Sequence, residues 1–236
     1  MRKISMKIIS WLTEMVEEAR SEGVVFGLSG GIDSAVVAAL CKRAFGQNAL
    51  GIIMPCYSDP QDEIDAKKLA SSLEMNFKVV NLDKTFDEII QASGNTDDKM
   101  AMANIKPRLR MTALYYHAAI NNYLVVGSEN KSEWHTGYFT KHGDSGVDLL
   151  PLANMVKTQV RMLAKHLDIL ESIIYKTPSA GLWEGQTDEA EMGFTYDDLD
   201  SYIQSKKIPS VNLRKKIDRL HLLSEHKRRM PEMFSY

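Results

Sequence analysis

The chain has 236 residues, of which 44% are hydrophobic and 25% charged, and its formal net charge is −2. This composition is ordinary for a folded globular protein with a buried core, and the balanced charge gives no electrostatic reason to expect binding to nucleic acid. Polar residues interrupt every apolar stretch, so no signal peptide or membrane span is predicted. Cys41 and Cys56 lack disulfide or metal-ligand spacing, which favours a reducing, cytoplasmic setting.

The first half of the chain alternates between helical and strand-like patterns. A stripe of apolar residues predicts a helix over 2–22, which Gly23 ends. Four short runs, apolar on both faces, predict strands, and the stretches between them predict helices. Such alternation is typical of a doubly wound, Rossmann-like α/β fold, a parallel sheet flanked by helices, with ligands at the carboxyl ends of the strands. The predicted strands are Val24–Leu28, Ala49–Met54, Phe77–Leu82 and Tyr123–Gly127, and the helices are 35–45, 60–74 and 97–119.

The second half is less regular. Residues 129–150 are rich in polar residues and glycine, and Leu152–Leu167 predicts a helix. Lys176–Asp198 resembles a loop, and a loop of that length is typical of a lid, which we expect to be mobile when empty and to cover bound nucleotide. A last helix is predicted over 212–228. The chain has no internal repeat or linker, so one domain over 1–236 is the simplest organisation.

The most informative motif joins the first strand to the helix after it. It reads Gly27-Leu28-Ser29-Gly30-Gly31-Ile32-Asp33-Ser34. Two glycines let backbone N–H groups surround phosphate oxygens, and the helix N-terminus adds partial positive charge. Asp33 supplies a carboxylate that can hold a divalent metal beside the phosphates. The alternative is a corner whose glycines serve only the backbone.

This motif differs from two better-known phosphate loops. It lacks the lysine of the Walker P-loop and the Gly-x-Gly-x-x-Gly spacing of dinucleotide-binding folds. Ser29-Gly30-Gly31-Ile32-Asp33-Ser34 instead resembles the pyrophosphate loop of the N-type ATP pyrophosphatases. These enzymes split ATP between the α- and β-phosphates and use the AMP to activate an oxygen. They include NAD synthetases, GMP synthetases, argininosuccinate synthetases and tRNA-thiolation enzymes.

Blocks in the second half narrow the resemblance. The segment 127–152 holds Gly137-Tyr138-Phe139-Thr140-Lys141-His142-Gly143-Asp144 and Asp148-Leu149-Leu150-Pro151-Leu152, and it closely resembles the signature of the ammonia-dependent NAD synthetases. Further blocks of that family match in order at 104–111, Lys157, Pro178-Ser179-Ala180 and Glu225-His226-Lys227-Arg228. The resemblance implies the fold of the adenine-nucleotide α-hydrolases. It also implies ATP-dependent amidation of deamido-NAD through an acyl-adenylate, giving NAD, AMP and pyrophosphate.

The resemblance also implies roles for individual residues. By this resemblance Asp33 and Glu133 bind Mg²⁺, and Lys157 and Asp144 are catalytic. The resemblance places Asp144 near the ammonia and the adenylate, and our hypothesis is that it takes a proton from ammonium. Cationic residues and Mg²⁺ are expected at such a site because the substrates carry phosphates and because negative charge develops on those phosphates during the reaction. The implied ATP-binding residues are Gly27 to Ser34, Ser128, Lys157 and Ser179, and the implied deamido-NAD-binding residues are Arg108, Lys141, Asp148, His226 and Lys227.

Three further expectations follow. The glutamine-dependent relatives carry an amidase domain with a nucleophilic cysteine, for which neither cysteine here has room, so free ammonia is the expected substrate unless a separate amidase subunit docks. The family works as a homodimer, and the long helix near 97–119 is a candidate surface. The competing interpretations are another ATP pyrophosphatase and a sensor that binds ATP without turnover. Cysteine pairs and basic patches, typical of thiolation enzymes, are absent from the sequence.

Overall fold

A computed structural model describes residues 1–94, 96–183, 185–205 and 210–235. Its central feature is a parallel sheet in the order β3-β2-β1-β4. In β1, Val25 pairs with Leu50 on one side and with Val125 on the other. The chain order reverses between β1 and β4, which is where such sheets bind ligands. The strands are β1 (Gly23–Gly27), β2 (Ala49–Ile53), β3 (Asn76–Val79) and β4 (Tyr123–Val126).

Helices cover both faces of this sheet, which confirms the predicted fold class. Val24 and Phe26 of β1 pack on one face, and Val25 packs on the other. Because successive strand residues point to opposite faces, a strand buried on both sides is apolar throughout. The helices of the first half are α1 (Arg2–Glu18), α2 (Ile32–Phe45), α3 (Pro60–Ser72), α4 (Asp83–Ser93), α5 (Lys99–Ala103) and α6 (Ile105–Asn121).

Several predicted boundaries in the first half were wrong. Gly23 begins β1 rather than ending α1, because the chain leaves the helix after Glu18 and turns at Arg20, whose φ is positive. The helix predicted over 97–119 is two helices, the first capped by Asp98 and the second starting after Asn104. The third predicted strand was not apolar on both faces: all four residues of β3 are exposed, because it is the sheet edge. Helix α4 was not predicted.

The second half is more helical than its sequence suggested. The helix predicted over Leu152–Leu167 begins only at Lys157, and the last helix ends at Leu223 before a short 3₁₀ turn over Glu225–Lys227. The helices of the second half are α7 (Lys131–Thr136), α8 (Lys157–His166), α9 (Glu171–Ile174), α10 (Asp188–Met192), α11 (Tyr196–Ile203) and α12 (Val211–Leu223). The segment Lys176–Asp198, in which residue 184 lies outside the described part, contains α10 and the start of α11.

A small separate core joins the last helices. Met192, Phe194, Tyr196, Leu199 and Ile217 are buried together. The cluster places α10, α11 and α12 beside α7, which follows β4 and begins at the carboxyl edge of the sheet. Distant parts of the chain therefore meet at one end of the strands. Among the described helices, none is long and apolar enough to cross a membrane.

Candidate active site

The loop between β1 and α2 has the form of an anion site. Gly31 caps α2, and the Ser34 hydroxyl bonds the Gly31 carbonyl oxygen at 3.0 Å and lies 2.9 Å from the Ser29 hydroxyl. Gly30 has φ +75°, and a Cβ there would lie 2.5 Å from the carbonyl oxygen of Asp62. Both the backbone conformation and the close approach require glycine. The loop therefore presents backbone N–H groups at a helix N-terminus, which suits phosphate oxygens.

Three predicted site residues meet beside this loop. Lys157 Nζ lies 2.5 Å from Asp33 Oδ2 and 3.0 Å from Glu133 Oε1. The lysine side chain is 3% exposed and each carboxylate 15%. Asn130 joins the group, since its Nδ2 donates to Asp33 Oδ1 at 2.9 Å. Asp33, Glu133 and Lys157 are thus one ion cluster at the switch point of the sheet.

Buried hydrogen bonds fix Lys157 at the start of α8. Its backbone N–H donates to Ser132 Oγ at 3.0 Å, and Ser132 in turn donates to Asp200 Oδ1 at 2.5 Å. The other Asp200 oxygen accepts from Thr158 N at 2.7 Å, so a carboxylate from α11 caps the N-terminus of α8. These hydrogen bonds connect α7, α8 and α11 to one another next to Lys157.

The cluster shifts the acidity of its members. Burial raises the pKa of Glu133 to about 7, against the opposing effect of the Lys157 charge and with a further increase from Asp33. Burial alone disfavours a charged lysine, but the carboxylates of Asp33 and Glu133 outweigh it and raise the pKa of Lys157 above its usual value. The lysine therefore stays protonated, whereas Glu133 exchanges its proton near neutral pH.

The residues present fit a hard divalent cation. The Lys157 ammonium already holds one oxygen of Asp33 and one of Glu133 around a single positive charge. Within the described residues, no group of three or more His, Cys, Asp or Glu side chains is arranged to hold a metal. Two carboxylates suit Mg²⁺, which commonly takes one or two protein ligands and completes its shell with water and substrate phosphates.

Asp144 lies in the turn after α7. Its Oδ1 accepts from the backbone N–H of Thr140 at 2.7 Å. The residue is exposed to solvent, but the protein around it desolvates the carboxylate enough to raise its pKa. Hydrogen bonds from the backbone of Thr140 and of Asp144 itself, and the charges of Lys227 and Arg110, offset part of this increase. A carboxylate with a raised pKa is a suitable proton acceptor.

Most of the predicted dinucleotide-binding residues form a second group. Arg108 Nη2 donates to the carbonyl oxygen of Lys141 at 3.3 Å, and Lys141 Nζ donates to that of His226 at 2.7 Å. Lys227 Nζ donates to the carbonyl oxygens of Gly137 and Phe139 at 2.9 and 2.8 Å. The structure therefore brings the start of α6, the turn after α7 and the C-terminal segment together.

Three predicted residues are placed differently. Asp148 uses both carboxylate oxygens inside the fold, since Oδ2 accepts from Val125 N at 2.7 Å and Oδ1 from the Tyr115 hydroxyl at 2.9 Å. Ser128 follows β4 and is half-buried, and Ser179 is exposed, with its hydroxyl accepting from Gly181 N at 3.1 Å. Their predicted ligand contacts stay predictions.

Comparison with known proteins agrees with this geometry. The family model described as NAD synthase matches residues 4–231. The chain belongs to the NAD synthase family. It is 52% identical to the NH(3)-dependent NAD(+) synthetase of Carboxydothermus hydrogenoformans, with 96% of this chain and 95% of that protein covered. This confirms the family indicated by the sequence blocks.

Two solved structures have the same backbone. An NMN synthetase from Francisella tularensis superposes with a TM-score of 0.96 at 37% identity, covering 100% of this chain and 98% of that one. An NH3-dependent NAD synthetase from Campylobacter jejuni gives 0.85 at 31% identity, covering 99% of both. The fold of the NAD synthase family therefore extends over the whole described chain.

Sequence reasoning missed several residues of this NAD synthase site. Lys176 Nζ lies 2.8 Å from Asp62 Oδ1 and 2.6 Å from Asp65 Oδ2, directly beside Gly30. Lys106 is buried and donates to the carbonyl oxygen of Leu182 at 2.8 Å. These contacts anchor the segment that carries Ser179, but they join residues far apart in the chain.

Asp188 and Tyr196 were also missed, although the sequence holds a signal for the helices that carry them. Thr187 and Thr195 cap α10 and α11 through their side chains. A threonine followed by acidic residues is typical of a helix start. That signal predicts the helices, but it does not predict that the Tyr196 hydroxyl lies between Asp188 and Glu133.

Proposed function

We propose that this chain catalyses the ATP-dependent amidation of deamido-NAD by ammonia, giving NAD, AMP and pyrophosphate. The observation that carries the proposal is the cluster of Asp33, Glu133 and Lys157 beside the Ser29–Ser34 loop in a member of the NAD synthase family. A loop for phosphates, two carboxylates for a hard cation and a buried cation together suit the splitting of ATP between its α- and β-phosphates.

The first chemical step is attack of the nicotinate carboxylate on the α-phosphate, which releases pyrophosphate and forms an acyl-adenylate. The backbone N–H groups of the loop would hold the leaving pyrophosphate. Asp33 and Glu133 would hold Mg²⁺, which neutralises phosphate charge when bound. Once the two carboxylates are so engaged, Lys157 can direct its N–H groups to phosphate oxygens, where charge develops.

The second step is attack of ammonia on the adenylate carbonyl, which expels AMP and leaves the amide. Ammonium must lose a proton before it can attack. Asp144 is our candidate acceptor because desolvation raises its pKa. The carboxylate is also held in place by the Thr140 N–H, and a fixed acceptor suits general base catalysis.

Deamido-NAD would bind the second group of residues. Arg108, Lys141 and Lys227 are cationic and His226 is exposed, which suits a ligand that carries phosphates and a carboxylate. Asp148 lies outside this second group, and ribose hydroxyls are its proposed partners. Ser128 and Ser179 are proposed ATP contacts.

A mononucleotide is the second candidate substrate. The Francisella tularensis protein described as an NMN synthetase matches this backbone more closely than the Campylobacter jejuni NAD synthetase does. Amidation of a nicotinate mononucleotide would use the same ATP site and the same ammonia chemistry, and only the contacts to the missing adenylyl half would differ.

Further parts of the proposal concern organisation. We propose that residues 1–236 form a single domain, and that the protein is a homodimer for which the exposed Tyr116 and Ile120 of α6 offer an apolar surface. The two cysteines are buried and not disulfide-bonded, which supports a cytoplasmic location. We also propose that 176–198 covers bound ATP, so that protease cleavage there slows when ATP and Mg²⁺ are added.

The direct test incubates the purified protein with ATP, Mg²⁺ and ammonium and compares two acceptors. Deamido-NAD should give NAD with a higher kcat/KM than nicotinate mononucleotide gives NMN, and the reverse order would favour the second candidate. Glutamine in place of ammonium should give no NAD. NAD formation from glutamine by the chain alone would contradict the proposed nitrogen source.

A further inference from the structure

Tyr196 connects two parts of the molecule that the proposed reaction uses separately. The residue is 0% exposed, and its hydroxyl lies 2.9 Å from Asp188 Oδ2 and 3.4 Å from Glu133 Oε1. Lys157 Nζ lies 4.9 Å from the centre of its ring. The side chain therefore contacts both the carboxylate proposed for Mg²⁺ and the lysine proposed for phosphate.

Asp188 sits at the base of the segment that carries Ser179. Its backbone N–H donates to the carbonyl oxygen of Pro178 at 3.1 Å, which brings these two residues together. We call residues 178–183 and 185–188 the ATP-side loop. Its base is Asp188, and the carboxylate of that same residue accepts the Tyr196 hydroxyl. Backbone and side chain of one residue thus join the loop to the ion cluster.

The placement of Asp188 is costly for a purely structural residue. It is 4% exposed, and its Oδ1 has no hydrogen-bond partner within normal geometry among the described residues. Burial raises the pKa of Asp188, and the Lys157 charge and the hydroxyls of Tyr196 and Tyr138 offset only part of this. A buried carboxylate oxygen without a partner is unfavourable and calls for an explanation.

We propose that Asp188 and Tyr196 are positioning residues that couple closure of the ATP-side loop to the orientation of Glu133. Tyr196 has one hydroxyl proton, which is shared between Asp188 Oδ2 at 2.9 Å and Glu133 Oε1 at 3.4 Å. The other oxygen of Glu133, Oε2, accepts from the backbone N–H of Asn130 at 3.2 Å. The inference rests on the proposed function, because it takes Glu133 as a metal ligand. Groups that orient metal ligands in this way typically matter about 10–100-fold for metal affinity or activity.

The test uses Tyr196→Phe, which keeps the buried ring and removes only the hydroxyl. The matched control is Tyr202→Phe on the same helix, whose hydroxyl donates to the Asp218 carboxylate at 2.5 Å, away from the cluster. We expect Tyr196→Phe to raise the Mg²⁺ concentration for half-maximal turnover by roughly tenfold, and Tyr202→Phe to leave it unchanged.

A second readout does not depend on turnover. Hydrogen exchange in the ATP-side loop is measured with and without ATP and Mg²⁺, for the wild type, Asp188→Ala and Asp188→Asn. Asparagine keeps an acceptor for the Tyr196 hydroxyl, so it should retain most of the ligand-induced protection, whereas alanine should lose it.

Two results would overturn the inference. One is a Tyr196→Phe protein that matches Tyr202→Phe in Mg²⁺ dependence, and the other is an alanine variant at 188 whose loop is protected as in the wild type. If the wild type makes neither NAD nor NMN but ATP and Mg²⁺ still protect the loop, and Asp188→Ala loses this protection, the proposed function fails and the coupling stands.

Discussion

The phosphate side and the substrate side of the site are built in different ways. The phosphate side is a short continuous stretch, Gly27–Ser34, in which backbone geometry at Gly30 fixes the shape. The substrate side is assembled from distant segments. Arg228, for example, donates to the carbonyl oxygens of Trp134 at 3.1 Å and His221 at 2.5 Å, and so holds the C-terminal segment against α7.

This difference suggests how each side responds to change. The backbone of the phosphate side is tightly packed at Gly30, so adding a single atom there should cause a large loss of activity. The substrate side consists of exposed and half-buried side chains held by long-range contacts, so removing an exposed one should weaken substrate binding and leave the chemical steps intact. The cluster of Asp33, Glu133 and Lys157 connects the two sides, because Lys157 contacts Asp33 of the phosphate side and Glu133 of α7.

The largest effect is expected for Lys157→Met, because Lys157 lies where the two sides meet. Turnover should fall by about 10²–10³-fold, since a preorganised cation is lost where phosphate charge develops. The same change leaves Asp33 and Glu133 without their shared cation. Mg²⁺ alone, without ATP, should therefore raise the melting temperature of the variant more than that of the wild type.

The matched control for that experiment is Lys165→Met on the same helix, where the lysine is exposed and lies over the ring of Tyr175. Its turnover and its response to Mg²⁺ should equal those of the wild type. Equal stabilisation of Lys157→Met and wild type by Mg²⁺ alone would contradict the idea that lysine and metal compete for the same carboxylates.

Gly30→Ala should have the next largest effect, about 100-fold on kcat/KM for ATP, because a misplacement of about 1 Å near the reacting phosphates is that costly. The added Cβ meets the Asp62 carbonyl oxygen, which is backbone and has little room to move. Gly46→Ala is the control: its φ is also positive, but nothing lies within 4 Å of the added atom. If both variants lose the same activity, backbone strain rather than the close approach is responsible.

The pH dependence of metal binding tests the cluster itself. Burial raises the pKa of Glu133 to about 7 in the folded protein, above the ordinary value of 4.5. Protons therefore compete with Mg²⁺ below pH 7, and the apparent affinity should fall by up to about tenfold per pH unit. Glu133→Gln should remove this pH dependence together with most of the affinity.

The raised pKa of Glu133 also makes the free energy of unfolding depend on pH. Between pH 4.5 and about 7 the folded protein binds more protons at Glu133 than the unfolded chain does. The contribution of this residue to the free energy of unfolding is therefore largest below pH 4.5 and is lost as the pH rises through 7. Urea unfolding of the metal-free protein over this range measures it. A contribution from Glu133 that grows with pH would contradict the assignment.

The smallest effect is expected on the substrate side. His226→Ala removes an exposed side chain, so the half-saturating concentration of deamido-NAD should rise by about fivefold, the value of one modest contact. The half-saturating concentration of ATP should not change. His166→Ala, at the far end of α8 from Lys157, serves as the control. A change in the ATP value would mean that the two sides are not separate.

The same contrast explains what could be predicted from the sequence. The strand, the glycines and Asp33 are neighbours in the chain, so their geometry follows from local pattern alone. Glu133 and Lys157 came from resemblance, and the structure places Lys157 in contact with both Asp33 and Glu133. Lys176, Asp188 and Tyr196 were missed because tertiary packing alone brings them to their partners. Lys176 contacts Asp62 and Asp65 of α3, and Tyr196 of α11 contacts Asp188 and Glu133. Local pattern also extended the first helix to residue 22, with Gly23 ending it, whereas the helix ends at Glu18.

Activation of the nicotinate carboxylate by ATP is the central claim, and one isotope experiment tests it most directly. Deamido-NAD labelled with ¹⁸O in the carboxylate is converted with ATP, Mg²⁺ and ammonium, and the products are analysed by mass spectrometry. Transfer through an acyl-adenylate places one labelled oxygen in each AMP formed. Label in the pyrophosphate, or AMP released without label, would contradict the account.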